Sequence, residues 1–167
     1  MAVKESTTVV MEKNVHIGIS EEHRFQIAEG LCRVLADSYM LYLKTHNFHW
    51  NVTGPRFHSL HNMFEEQYTE LAAAIDEIAE RIRALGFYAP GSFTEYKELT
   101  TIEEAVGVRD ANAMVSQLVV SNEKLIATVR TTLPTLNEAS DEATLDLMTQ
   151  RLHQHSKVAW MLRSTLE

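Results

Sequence analysis

Imidazole and carboxylate side chains recur between residues 46 and 80 at spacings that suit a metal site. This stretch holds four of the eight histidines in the chain. It also holds two acidic pairs, the adjacent Glu65 and Glu66 and the pair Asp76 and Glu80, which lie four residues apart. Imidazole nitrogen and carboxylate oxygen are donors that bind transition metals such as iron or zinc. The first chemical hypothesis is therefore a transition-metal site.

These residues fall on a predicted long helix. Residues 57–85 contain no Gly or Pro, their apolar residues recur at helical period, and Gly86 follows as a stop signal. At about 100° per residue, four polar side chains share one side of this helix, at roughly 0°, 40°, 60° and 100°: His61, Glu65, Asp76 and Glu80.

The two ends of this set are too far apart to hold one metal ion. His61 and Asp76 are separated by about 22 Å along a helix axis. A twofold axis near Glu70 or Leu71 would solve the problem, because an antiparallel copy of the helix would place Asp76 and Glu80 beside His61 and Glu65 of its partner. His49, at the end of the preceding helix, is near enough in sequence to complete each site.

The same residues also fit a simpler interpretation. Acidic residues on a helix usually form a solvated face, and Glu80 could pair with Arg81 or Arg83 as ordinary surface charge. A histidine beside an apolar stripe is more often packed than bound to a metal. Composition and periodicity leave both interpretations open, and they do not distinguish iron from zinc or manganese.

The motifs in this region resemble those of the Dps family, the mini-ferritins. The resemblance rests on three motifs and on a weaker match over residues 144–162, and it covers most of the chain after the first twenty residues. The motifs are Thr-His-Asn-Phe-His-Trp-Asn-Val-Thr-Gly at 45–54, residues 57–61, and Asp-Glu-Ile-Ala-Glu-Arg at 76–81.

The resemblance implies a ferroxidase centre shared between two subunits. His49, His61 and the acid four residues later would come from one subunit, and Asp76 and Glu80 from the other. The family commonly has Asp where this chain has Glu65, so the second iron position is the part of the site that the difference affects. Trp50 follows His49 directly and is expected either to fill the helix end or to donate an electron near the metal.

The resemblance also implies a function. A hollow dodecamer would oxidise ferrous iron, with hydrogen peroxide as the preferred oxidant, and store the ferric mineral, which would protect against oxidative stress. Acids early in the last helix would line a threefold pore for iron entry, and Asp141 and Asp146 are the candidates. Acids also favour helix N-termini for purely structural reasons.

The remaining histidines are expected to have other roles. We expect His46 to contact the site indirectly or to pack in the core, and His58 to lie outside the arc of the ligands. His153 and His155 lie outside the family motif and are expected on the surface.

Composition limits the other classes of function. The chain has 167 residues, a mass of 19.0 kDa and a net charge of −8, which fits one domain and disfavours a general nucleic-acid surface. The single cysteine, Cys32, excludes an internal disulfide. No apolar run suggests a membrane span or a secretion signal, so a cytoplasmic protein is expected. The tail has two lysines balanced by acids, so DNA binding is possible but weakly supported.

The elements needed to position the site can be predicted in order. A tail over residues 1–19 precedes a bundle over residues 20–167. Ser20 caps a first helix to about Trp50, the second helix follows, and a capping box at Ser92–Glu95 opens a short helix through Leu99. The third helix begins at Asp110 and runs to about Leu136, with Pro134 expected to kink or end it, and the fourth starts at residues 140–141. The expected fold is all-α, a ferritin-like antiparallel four-helix bundle with a short helix in the long crossover between helices 2 and 3.

Two rival functions fit parts of the sequence. One is a DNA-compacting or structural shell in which metal chemistry is secondary, which the low lysine count of the tail disfavours. The other is a di-iron site inside one subunit, which uses Glu-x-x-His pairs on separate helices. The chain contains no Glu-x-x-His, which makes the second rival the weaker one.

Overall fold

The computed structural model describes residues 15–167, which fold as five α-helices: α1 (Glu21–Asn51), α2 (Phe57–Ala84), α3 (Phe93–Leu99), α4 (Ala111–Glu138) and α5 (Glu142–Ser164). The predicted tail falls largely on residues 1–14, which lie outside the described part. The helix α1 packs against α2 and α4, α4 packs against α5, and α2 touches α5 more lightly. The predicted all-α four-helix bundle with a short helix in the crossover is confirmed.

Local signals set most of the helix ends. Ser20 accepts a hydrogen bond from the backbone N–H of His23, and Asp110 caps α4 in the same way through Ala113. The predicted capping box is present at the start of α3, where Ser92 and Glu95 exchange hydrogen bonds. These caps satisfy backbone donors that a helix leaves unpaired at its start.

The end of α2 depends on a glycine and on a distant arginine. Gly86 has a φ of +94°, a backbone conformation that favours glycine, and a Cβ there would lie 2.9 Å from Nη1 of Arg24. That same guanidinium nitrogen donates a hydrogen bond to the carbonyl oxygen of Leu85 at 2.7 Å. A carbonyl at the end of α2 is therefore satisfied by a buried side chain of α1.

Pro134 does not end α4, contrary to one of the two outcomes predicted for it. The helix continues to Glu138, past the proline. Proline removes one backbone hydrogen bond, but Leu136 in the following turn is fully buried. Packing of this last turn into the core offsets the lost bond, because tertiary contacts regularly override local propensity.

The long crossover is fastened to the bundle by a buried aspartate. Asp37, in the middle of α1, has no exposed surface. Its carboxylate accepts hydrogen bonds from the hydroxyls of Thr100, Thr101 and Thr128 and from the backbone N–H of Thr101, at 2.6–2.9 Å. One carboxylate thus joins α1, the crossover and α4.

Candidate metal centre

The turn between α1 and α2 brings two histidines into direct contact. His49 lies in the last turn of α1 and His61 in the second turn of α2, and the turn between them contains Gly54 at a φ of +102°. The two imidazole rings are stacked, with their centroids 3.8 Å apart and their planes inclined by 22°. A nitrogen atom of each ring could therefore bind the same metal ion.

Reciprocal hydrogen bonds orient these two rings. Nδ1 of His49 lies 2.9 Å from the carbonyl oxygen of His61, and Nδ1 of His61 lies 2.9 Å from the carbonyl oxygen of His49. A carbonyl oxygen only accepts, so each Nδ1 must carry the proton. In the neutral rings both Nε2 atoms then have a free lone pair, which is the arrangement of a metal-binding histidine held by a backbone carbonyl.

Glu65 completes a group of three side chains within one chain that could hold a metal ion. It follows His61 by one helical turn and is exposed, and one ligand atom from each of His49, His61 and Glu65 lies within 4.8 Å of the others. Across residues 15–167 this is the group of three or more histidines, cysteines or acids whose spacing suits a metal ion. Two imidazoles and one carboxylate would leave coordination positions open for further ligands.

Asp76 and Glu80 do not join this group. Both are exposed on the second half of α2 and lie outside the set that the turn assembles. In a single chain the two predicted half-sites are therefore separate, and the structure brings together only the first one.

Aromatic side chains surround the histidine pair. The ring of Tyr68 stacks on His46 at 4.1 Å and meets His49 edge-on at 5.1 Å. The ring of Phe57 lies 5.0 Å from His61. Sequence reasoning missed Tyr68, although it lies seven residues after His61 and therefore on the same side of α2.

Trp50 and His46 occupy the outer side of this cluster. The indole of Trp50 is 62% exposed and lies 4.1 Å from the ring of His46. Burial lowers the pKa of His46, and the neighbouring His49 lowers it further. His46 thus joins Trp50, Tyr68 and His49 by ring contacts without entering the ligand group.

The exposure of the other histidines agrees only partly with the prediction. His58 is exposed and lies 3.3 Å from the amide of Asn62, outside the ligand group. His153 is exposed, but the prediction that His155 lies on the surface was wrong, because only 2% of it is exposed. Its Nδ1 pairs with the side-chain oxygen of Asn122 at 2.9 Å, and burial with the nearby Arg151 lowers its pKa to about 3.

The two candidate pore residues, Asp141 and Asp146, differ in their exposure to solvent. Asp141 is 3% exposed, caps α5 and pairs with Arg81 at 2.7 Å. Burial acts to raise the pKa of its carboxyl, but the hydrogen bonds from Thr144 and Arg81 outweigh burial and lower it. The structure thus gives Asp141 a structural role as the cap of α5, and its place in a pore stays a prediction. Asp146 is exposed and accepts a hydrogen bond from Gln150.

The described helices contain no segment with both the length and the apolarity needed to cross a lipid bilayer.

Comparisons with known proteins agree with this architecture. A family model for the ferritin-like domain matches residues 28–167. DNA protection during starvation protein 2 of Bacillus anthracis is 40% identical over 141 residues, which cover 84% of this chain and 97% of that protein. An uncharacterised low temperature-induced protein of Nostoc sp. is 42% identical over 155 residues, which cover 92% and 87% of the two chains.

Solved structures give the same result. The Dps protein of Vibrio cholerae O1, described as a member of a broad superfamily of ferritin-like diiron-carboxylate proteins, superposes with a TM-score of 0.88 at 33% identity, over 96% of this chain and 100% of that one. DpsC of Streptomyces coelicolor superposes with a TM-score of 0.90 at 27% identity, over 100% and 96% of the two chains. The chain belongs to the Dps family of the ferritin-like superfamily.

Proposed function

We propose that this protein is an iron-sequestering mini-ferritin that oxidises ferrous iron at a centre shared between two copies of the chain. The observation that carries the proposal is the half-site of His49, His61 and Glu65, whose imidazoles present both Nε2 atoms. Asp76 and Glu80 stand exposed on the same helix, available to a second copy. In an antiparallel pair of α2 helices, Asp76 and Glu80 of each copy would lie beside His61 and Glu65 of the other copy.

The donor set suits ferrous iron as a substrate. Imidazole nitrogens bind the ferrous ion, and anionic carboxylate oxygens favour the more highly charged ferric ion. The carbonyl oxygens of His49 and His61 hold the rings in place while the charge on the bound ion changes. The carboxylates of Glu65, Asp76 and Glu80 would supply most of the negative charge that stabilises the ferric ion.

We further propose hydrogen peroxide as the oxidant. Two ferrous ions give one electron each, and one peroxide with two protons becomes two water molecules, so no hydroxyl radical is released. The ferric product would collect as mineral inside a hollow dodecamer in the cytoplasm and so protect the cell from oxidative stress. The description of the Vibrio cholerae relative as a diiron-carboxylate protein supports the iron chemistry.

Single substitutions test the centre. Replacing His61 or Asp76 with Ala should abolish rapid ferrous oxidation by peroxide, followed by absorbance of the ferric product, while gel filtration shows an intact assembly. His58→Ala is the matched control, because His58 is exposed on the same helix and outside the ligand group. If the His61→Ala and Asp76→Ala variants both oxidised iron at the wild-type rate, the assignment would be wrong.

Mixing the two variants tests whether the centre is shared. After disassembly and joint reassembly, a His61→Ala chain and an Asp76→Ala chain would together form some centres with every ligand present. Partial recovery of the oxidation rate is expected. If no activity returns although mixed assemblies form, the ligands are not donated across an interface.

A second candidate function is protection of DNA as a shell protein. The naming of the Bacillus anthracis relative favours it, and the net charge of −8 opposes it. A gel shift over a salt series separates the two functions, because binding through phosphates weakens steeply as salt rises.

A further inference from the structure

A small polar cavity lies inside the bundle and is lined by residues of all four long helices. Its volume is about 10 Å³, which is room for one water molecule. The lining combines aliphatic side chains with polar ones, and the polar ones are Thr45, Gln67, Glu70, Asn122 and His155. Because polar groups in a protein core are normally hydrogen-bonded, each of these side chains needs a partner.

The protonated nitrogen of His155 follows from the hydrogen bonds of Asn122. Nδ2 of Asn122 donates to the carbonyl oxygen of Leu118 at 2.8 Å, and its Oδ1 lies 2.9 Å from Nδ1 of His155. An amide oxygen only accepts, so Nδ1 carries the proton. Burial keeps this ring neutral, as its lowered pKa indicates, and its Nε2 therefore has a lone pair that can only accept.

Nε2 of His155 has no donor within the protein. None of the groups in residues 15–167 donates a hydrogen bond to this atom, and only 2% of the residue is exposed to bulk solvent. A buried acceptor without a partner destabilises the folded state, and native proteins contain few of them. The missing donor must therefore enter the cavity that His155 lines.

Donors that need an acceptor lie nearby. Gln67 is buried on α2 and lines the same cavity with its side-chain amide. Arg151 precedes His155 by one turn of α5, and its Nη2 donates to Glu70 at 2.5 Å. The Nε and Nη1 groups of Arg151 are buried, and within the described residues they have no partner. The same region thus holds an acceptor that needs a donor and donors that need an acceptor.

These two needs exclude ions as the occupant. A metal cation would bind the lone pair of His155, but the positive guanidinium of Arg151 lies one turn away and would repel it. A chloride ion would accept from Arg151, but it has no proton to give to Nε2. A molecule that fits must be small and neutral, and it must both donate and accept hydrogen bonds.

We propose that this cavity binds one water molecule, which donates a hydrogen bond to Nε2 of His155 and accepts one from the amide of Gln67. Its second proton goes to the carboxylate of Glu70, which lines the same cavity. The water bridges α5 to α2, which touch more lightly than the other helix pairs in contact. The inference does not depend on iron oxidation, because none of the proposed metal ligands lines the cavity.

A crystal structure of the assembled, full-length protein, at a resolution that shows ordered water, tests the proposal. One peak of water density is expected within about 2.7–3.2 Å of both Nε2 of His155 and the amide nitrogen of Gln67. A cavity without density, a peak with the anomalous signal of a metal or chloride ion, or a His155 ring turned toward a protein donor would overturn the proposal.

The variant Gln67→Met tests the bridge in solution. Methionine has a similar length but no N–H group, so the water should be lost and Nε2 of His155 left unpaired. The melting temperature should fall by roughly 4 °C or more. Gln150→Met is the matched control, because Gln150 is exposed and outside the cavity, and it should melt like the wild type.

Equal melting temperatures of the Gln67→Met and Gln150→Met variants would show that no water joins Gln67 to His155. If the Gln67→Met chain does not fold, the crystal structure of the wild type decides the proposal without it.

Discussion

The properties of single residues in this protein depend on which atoms their neighbours leave free. His49 and His61 are proposed as metal ligands because their Nδ1 atoms are occupied by carbonyl oxygens and their Nε2 atoms are not. The carboxylate of Asp141 differs, because its two oxygens already accept hydrogen bonds from Arg81 and Thr144. At this scale, hydrogen-bond partners rather than residue type separate the proposed metal ligands from structural groups.

Glu65 and Glu66 offer a matched comparison of two adjacent acids. Both are exposed on α2, but only Glu65 belongs to the ligand group. Glu65→Ala should slow ferrous oxidation by about tenfold or more, since losing even an indirect contact to a metal ligand commonly costs that much. Glu66→Ala should leave the rate unchanged. Stopped-flow absorbance of the ferric product measures both, and equal rates would remove Glu65 from the centre.

His155 is expected to make stability depend on pH. Its folded pKa is about 3, whereas an unfolded histidine titrates near 6.5. Below pH 6.5 the unfolded chain therefore binds a proton that the folded chain excludes, so stability is fully present above that pH and falls as the pH drops toward 3. The slope can reach about 1.4 kcal/mol per pH unit.

Replacing this histidine should flatten that dependence. His155→Gln should lose less melting temperature between pH 7 and pH 5 than the wild type, even if it starts lower. His153→Gln, two residues earlier and exposed, should follow the wild type. Parallel curves for wild type and His155→Gln would show that His155 does not titrate in this way.

At the scale of elements, the crossover between α2 and α4 depends on one carboxylate. Asp37→Ala would leave three threonine hydroxyls and the backbone N–H of Thr101 without their acceptor. A destabilisation of about 3 kcal/mol or more is expected, because unpaired buried donors are costly. For a domain of this size that corresponds to a drop of roughly 6–12 °C in melting temperature.

The melting temperatures of the Asp37→Ala and Asp110→Ala variants test this expectation. Asp110 is an exposed helix cap, so its removal should cost only about 1 kcal/mol. If the two variants melted at the same temperature, Asp37 would not be the anchor of the crossover.

At the scale of the whole molecule, the exposed face of α2 is expected to meet another copy of itself. Ala72 is exposed on this face, between the two proposed half-sites, and its small side chain would allow close approach. Ala72→Arg should therefore place a bulky charge at the twofold contact. The assembly should dissociate and ferrous oxidation should be lost together, as shown by light scattering and by the oxidation assay.

The control for this substitution lies on another helix. Ala127 is exposed on α4, away from the proposed contact, so Ala127→Arg should leave both the mass and the activity unchanged. A fully assembled and active Ala72→Arg variant would place the twofold contact elsewhere.

The sequence by itself determined the helices and most of their ends. Ser20, Asp110 and the Ser92–Glu95 box act on backbone groups within three residues, so their effect can be read without knowing the fold. The motifs at residues 45–54, 57–61 and 76–81 resemble those of the Dps family, and the comparisons confirm that resemblance.

Only the tertiary structure decided the roles that depend on distant partners. His155 meets Asn122 across 33 residues, and Asp37 meets Thr128 across 91. The last turn of α4 persists beyond Pro134 because Leu136 is buried in the core. Burial and long-range hydrogen bonds set these outcomes, and neither is encoded in the spacing of neighbouring residues.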